Sequence, residues 1–166
     1  MLRLRPYKTN DAEYIISWLD TEENFMKWCA NLLTYPLTKE ALFERQNKFD
    51  CSAKGLLWTA VDELGKPVGS LTMLNADYEN NSIHFGFIII DSSTRNMGYG
   101  KKMISLAVDY AFNLLKMTRI TLRVFDNNPG AYNCYHSVGF KDEVYEPDSF
   151  PYYNENWGSF LMSITK

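Results

Sequence analysis

Apolar and polar positions alternate at period two in Leu2-Arg3-Leu4-Arg5, which predicts a first strand ended by Pro6. Thr9-Asn10-Asp11 then offers helix caps, and Ala12, Ile15, Ile16 and Leu19 recur behind it at helical spacing. Thr38-Lys39-Glu40 opens a second helix carrying Ala41, Leu42, Arg45 and Phe49. From Gly55 the pattern changes. Residues 56–61, 68–74 and 83–90 read as three strands joined by turns at 63–66 and Asn80-Asn81, an antiparallel meander. Residues 99–115 form a long helix with Met103, Leu106, Ala107, Tyr110, Ala111 and Leu114 on one stripe. A strand at 119–124, a helix at 129–137 closed by Gly139, and strands at 140–145 and 159–165 complete the chain. The order β-α-α-β-β-β-α-β-α-β-β predicts an α/β (α+β) fold, a mixed sheet with helices on its faces.

No repeat or linker interrupts the 166 residues, so one domain over 1–166 is expected. Seventeen Lys and Arg against twenty Asp and Glu give a net charge of −3, which speaks against a nucleic-acid partner. The apolar run at 85–90 is far short of the ~20 residues of a membrane span, and the first residues lack the apolar core of a signal peptide. Cys29, Cys51 and Cys134 are odd in number and form no C-x-x-C pair. Neither a disulfide framework nor a metal site is expected, and a reducing cytoplasm is the natural setting. Only His84 and His136 titrate near neutrality.

Chemistry concentrates where the apolar strand Ile88-Ile89-Ile90 runs through a polar loop into Arg95-Asn96-Met97-Gly98-Tyr99-Gly100-Lys101 and a long helix. Glycines let several backbone N–H groups converge, the helix start adds a partial positive charge, and Arg95, Lys101 and Lys102 add full ones. Such a place suits a phosphate or pyrophosphate. A P-loop is excluded because no Gly-Lys-[Ser/Thr] run exists, and a dinucleotide fingerprint because Met103 stands where a small residue is needed.

Arg95-x-x-Gly98-x-Gly100 resembles the acetyl-CoA pyrophosphate loop of the GNAT N-acetyltransferase superfamily, and Asn128-x-x-Ala131-x-x-x-Tyr135-x-x-x-Gly139-Phe140 resembles its next signature. In texture the chain looks most like the branch of ribosomal-protein N-acetyltransferases. The resemblance implies a mostly antiparallel sheet of six to seven strands, about four helices and a splayed central strand pair. It implies that amides from Asn96 to Lys101 hold the pyrophosphate beside Arg95, and that pantetheine lies along Ile88, Ile89 and Ile90. An N–H near Ile88 or Ile89 would face the thioester carbonyl as an oxyanion donor. Asn128 would hydrogen-bond the pantetheine arm, or serve only as a turn residue before Pro129. Tyr135 would protonate the departing thiolate, a phenol of pKa ~10 being suited to a leaving thiol. Tyr132, one turn away, is the competing phenol. Cys134 has no evident His partner and reads as a small hydrophobe, so direct transfer is expected rather than an acyl-cysteine.

Many members carry a Glu two residues before the Gly of the fourth strand, where this chain has His84. Alternation would put His84, Gly86, Ile88 and Ile90 on one face, and His84 could then act as general base, directly or through water. Asp77, Glu79 and Asp91 are alternative carboxylates, and His136 is peripheral. Between Arg95 and Arg123 six cations face Asp109 alone, a local +5. Between Lys141 and Asn156 five acids face one cation, a local −4. The first suits CoA phosphates; the second would favour a cationic amine or is solvated surface. The function expected is acetyl transfer from acetyl-CoA, without a metal, to a small-molecule or peptide primary amine, by a monomer or homodimer. The alternative is a non-catalytic acyl-CoA-binding or sensing module.

Overall fold

A computed structural model describes residues 1–166. Seven strands form one sheet in the order β1-β2-β3-β4-β5-β7-β6. The strands are β1 (Arg3–Pro6), β2 (Leu56–Val61), β3 (Pro67–Asp77), β4 (Ser82–Ile90), β5 (Arg119–Phe125), β6 (Lys141–Tyr152) and β7 (Glu155–Thr165). Five helices accompany them: α1 (Ala12–Trp18), α2 (Glu22–Cys29), α3 (Lys39–Asp50), α4 (Tyr99–Asn113) and α5 (Pro129–Val138). The GNAT fold expected from the resemblance is the fold observed. No helix is long and apolar enough to cross a membrane.

Two apolar layers sandwich the sheet. On one side α4 lays Met103, Ile104, Ala107 and Ala111 against Leu71, Phe85, Ile120 and Leu122. On the other, α1, α2 and α3 close a second cluster around Ile15, Phe25, Trp28 and Leu42. Helix α2 is absent from the order read above. It is only eight residues long, but Thr21 accepts from the Asn24 amide at its start, Glu22 and Glu23 follow, and Lys27 sits in its last turn. Each feature favours a helix through caps and dipole.

The polar anchor of the N-terminal side is Asp11, 4% exposed. Its carboxylate accepts from Arg5 at 2.6 and 2.8 Å, from Thr59 Oγ1 at 2.7 Å and from the Lys8 amide at 2.9 Å. Both buried carboxylate oxygens are thus hydrogen-bonded, and β1, β2 and the start of α1 are tied together.

The functional geometry comes from the middle of the sheet. All neighbouring strands are antiparallel except β4 and β5, which run parallel and pair only from Ser82↔Arg119 to Phe85↔Leu122. Beyond Phe85 the two strands part, while β5 keeps its pairing to β7 as far as Phe125↔Ser159. A wedge with free backbone on both edges results. Just past the Phe85↔Leu122 pair β4 carries a bulge: Gly86 pairs with Thr72 and Ile89 with Ser70, so Phe87 and Ile88 together oppose Leu71. Phe87 takes φ +51°, a costly conformation for an aromatic residue.

The bulge corrects the face assignment made from strict alternation. Ile88 and Ile90 pack with the α4 layer, whereas Phe87 and Ile89 pack with the α1–α3 layer. His84 precedes the extra residue, so its face continues through Phe87 and Ile89, not through Ile88 and Ile90.

Candidate active site

A cavity of about 730 Å³ runs through the wedge, within the size range of small-molecule and cofactor sites. Its floor is Ile88, Ile89 and Ile90 of β4. One wall is the start of α4 with Arg95, Asn96, Gly98, Tyr99, Gly100 and Lys101. Asn128, Cys134 and Tyr135 close it from α5, and Trp18, Leu19, Asn24, Lys27 and Trp28 reach it from the opposite side of the sheet.

The α4 end is a ready anion cradle. Gly98 stands before the first turn at φ +76° and no side chain caps that turn. The amides of Tyr99, Gly100 and Lys101 therefore lack an acceptor within the helix. They point the positive end of the dipole at the cavity, between Arg95 and Lys101. Asn96, at φ +64°, turns the loop toward it. Met97 departs from the expectation: its amide donates to the Thr94 carbonyl at 3.4 Å, and its side chain is 61% exposed and lines no part of the cavity. The turn that directs Gly98 inward directs Met97 outward.

Asn128 is both a helix cap and a residue of the cavity wall. Its Oδ1 caps α5 by accepting from the Ala131 amide at 3.4 Å, and the residue also lines the cavity, where its amide NH2 is not committed to the cap. The two tyrosines separate cleanly. Tyr132 donates to Asp142 at 2.7 Å and lies against Phe160 and His136. Tyr135 lines the cavity, is 5% exposed, and has its phenol pushed above the usual value by burial and by neighbouring Cys134. The phenol is therefore protonated throughout the neutral range, the state a proton donor needs. Cys134 also lines the cavity, with its thiol shifted up by burial and only partly restored by Lys101. That environment disfavours a thiolate nucleophile.

His84 is not part of the cavity wall. Its Nδ1 lies 2.8 Å from Thr121 Oγ1 on β5, at the last paired stretch before the gap. Burial, followed by Arg123, lowers its pKa, so the imidazole is neutral at neutral pH. None of the alternative carboxylates Asp77, Glu79 and Asp91 lines the cavity; Asp77 accepts from Asn80 and the Glu79 amide, and Asp91 from Ser93. His136 pairs with Asp142 at 3.0 Å, away from the cavity.

The two charged segments turn out to face each other. Arg119 grips Glu143 at 2.5 and 2.7 Å, and Arg123 pairs with Glu146. Two of the cations set aside for phosphates are therefore bound to acids set aside for the acceptor. Arg95 and Lys101 are the cations left at the cradle. The aromatic residues near the end of the chain dock the β6–β7 hairpin onto α2: Phe125, Phe150 and Trp157 pack with Met26 and Ala30, and Tyr153 donates to Glu22 at 2.8 Å. Residues of α1 and α2 that line the cavity were not among the sequence candidates. Trp18 and Trp28 follow a helical apolar spacing that signals core equally well.

Comparison with known proteins agrees with this geometry. The family described as Acetyltransferase (GNAT) domain matches residues 1–141. The chain is 30% identical over 83 residues to a spermidine N(1)-acetyltransferase of Vibrio cholerae, covering 50% of this chain and 47% of that one. It is 32% identical over 65 residues to a spermine/spermidine N(1)-acetyltransferase of Bacillus subtilis, covering 39% and 43%. These alignments span less than half of the curated relatives' length. Among solved structures, spermidine N-acetyltransferase from Vibrio cholerae in complex with CoA and spermine superposes with a TM-score of 0.87 at 24% identity, over 99% of this chain and 95% of that one. A chimera of that enzyme with hSSAT gives 0.84 at 24% identity, with the same coverage. With the wedge, the amide cradle and the family match over most of its length, this chain belongs to the GNAT acetyltransferase family.

Proposed function

We propose that the chain is a single-domain, acetyl-CoA-dependent N-acetyltransferase acting on a primary amine in a reducing cytoplasm. The observation that carries this reading is the wedge itself, with an uncapped cationic helix start at one end and a buried tyrosine at its centre. Acetyl-CoA fits what the residues offer. Free α4 amides with Arg95 and Lys101 suit its pyrophosphate, and the unpaired edge of β4 suits the amide-bearing pantetheine arm. When bound it supplies an activated acetyl thioester.

The protein's own groups then have distinct tasks. An N–H at Ile88 or Ile89, where β4 has parted from β5, donates to the carbonyl oxygen as negative charge develops there. The amine forms its new C–N bond as the C–S bond breaks, and Tyr135 gives its proton to the leaving sulfur. His84, neutral and on the face shared with Phe87 and Ile89, takes the ammonium proton through water, because its ring lies beyond the cavity wall.

The similarity to proteins named spermidine and spermine N-acetyltransferases supports a primary amine as acceptor. The position of His84 outside the wall favours one second reading, a binding module without turnover. Incubation of purified protein with acetyl-CoA and an amine library, followed by free-thiol release and mass spectrometry, separates the two. Thiol release matched by an acetylated amine is the expected result. Tight acetyl-CoA binding with no thiol release would establish the module instead.

A further inference from the structure

The cavity wall contains three cations, Lys27, Arg95 and Lys101, and no carboxylate. Arg95 and Lys101 flank the α4 cradle. Lys27 stands on α2, across the sheet from α4 and in the layer where Phe87 and Ile89 pack, the face of β4 that carries His84. Its ammonium already occupies what a second cation would seek: the Glu23 carboxylate lies at 2.6 Å and the Trp157 ring centroid at 5.8 Å. The lysine side chain is 18% exposed and the glutamate 53%, so the cation is the better enclosed of the pair. Carboxylate plus aromatic face is the combination that holds alkylammonium groups.

On the acetyltransferase reading, we infer that Lys27 is a specificity-determining residue. Its ammonium fills the position that the distal ammonium of a polyamine would take, so this chain favours amines with a single positive charge. An incoming polyamine would have to displace Lys27 from Glu23 and Trp157, or bring its second charge close to a fixed like charge. A monoamine bears neither cost.

The test compares kcat/KM for spermidine with that for n-butylamine in wild type, Lys27→Met, Lys27→Gln and Lys27→Arg. Wild type should prefer n-butylamine. Lys27→Met and Lys27→Gln vacate Glu23 and Trp157 and should raise the spermidine-to-butylamine ratio about tenfold, mainly through the KM for spermidine. Lys27→Arg keeps the charge and should leave the ratio unchanged. A ratio that stays within twofold of wild type in both neutral variants, or falls, overturns the inference. Absence of thiol release by wild type with every amine would overturn the acetyltransferase reading alone. Spermidine affinity by calorimetry then decides: about tenfold tighter binding to Lys27→Gln supports the role of Lys27, and equal affinity refutes it.

Discussion

The Arg45 guanidinium lies 4.0 Å from the centroid of the Phe87 ring, directly behind the bulge that opens the wedge. Arg45 is 8% exposed, donates to Thr72 Oγ1 at 2.5 Å and also faces Phe49 at 5.0 Å. Thr72 is the strand partner of Gly86, one residue before Phe87. The guanidinium thus touches both the strained residue and the strand it is strained against. It has no carboxylate partner, and its Nε makes no hydrogen bond.

A buried charge without a counter-ion is a poor stabiliser, since its desolvation is not repaid. Arg45→Met keeps most of the volume and removes the charge. Melting temperature in that variant should stay level or rise by a few degrees. The bulge, however, loses its support, so kcat for thiol release should drop by about tenfold or more while acetyl-CoA binding at the α4 cradle persists. A variant that loses stability and retains full kcat would show that Arg45 serves packing alone.

Tyr135→Phe removes one oxygen from a cavity-lining position and leaves the ring packed near Phe140. If Tyr135 protonates the thiolate, kcat should fall by about 10²-fold with little change in acetyl-CoA affinity. Tyr132→Phe should leave kcat near wild type, because its hydroxyl is engaged with Asp142 outside the cavity. Steady-state thiol release for the two variants, measured side by side, distinguishes the phenols.

Much of this site was legible in the order of residues because its parts are local. Arg95, Gly98, Gly100 and Lys101 belong to one loop and one helix turn, and Asn128 and Tyr135 are fixed relative to each other by a single helix. What sequence could not show depends on how strands align. Phe87 and Ile88 are both apolar, so shifting the phase of β4 by one residue leaves a plausible strand either way, and the bulge has no signature. The pairing of Arg119 with Glu143 and Arg123 with Glu146 requires the registers of β5, β7 and β6 together. Segment charges counted along the chain therefore named partners as if they were independent surfaces. Helix α2 had caps and charges in place, but eight residues carry too few turns for a clear apolar stripe.

His84 bears on stability as well as on activity. Its folded pKa lies below the unfolded value of ~6.5, first because of burial and then because of Arg123. The unfolded chain consequently binds the proton more readily. This contribution to stability is complete above pH ~6.5 and is lost as the pH falls through the lower folded value. His84→Gln lacks the titration. Melting temperature should fall less for His84→Gln than for wild type between pH 7.5 and pH 5, and the acid limb of kcat/KM should flatten only if His84 is the base. Parallel melting curves would mean that the imidazole is protonated at no cost in the folded state.

Two glycines three Å or so of chain rise apart in the α4 turn separate stability from ligand binding. Gly98 is at φ +76° with open space around its missing Cβ, so Gly98→Ala adds no clash. It does strain the backbone by about 1 kcal/mol, because the left-handed region disfavours a Cβ. Gly100 is inside the helix, and a Cβ there would meet Cys134 Sγ at 3.4 Å and Ile90 at 3.7 Å, ordinary contacts. Gly100→Ala should therefore raise stability by about 0.5–1 kcal/mol through helix propensity. The same methyl would sit on the cavity wall beside the free amides, where close backbone approach is required. Expected outcomes are a lower melting temperature for Gly98→Ala, a higher one for Gly100→Ala, and an increased KM for acetyl-CoA in both. A Gly100→Ala protein that is more stable and binds acetyl-CoA as well as wild type would remove the α4 cradle from the binding site.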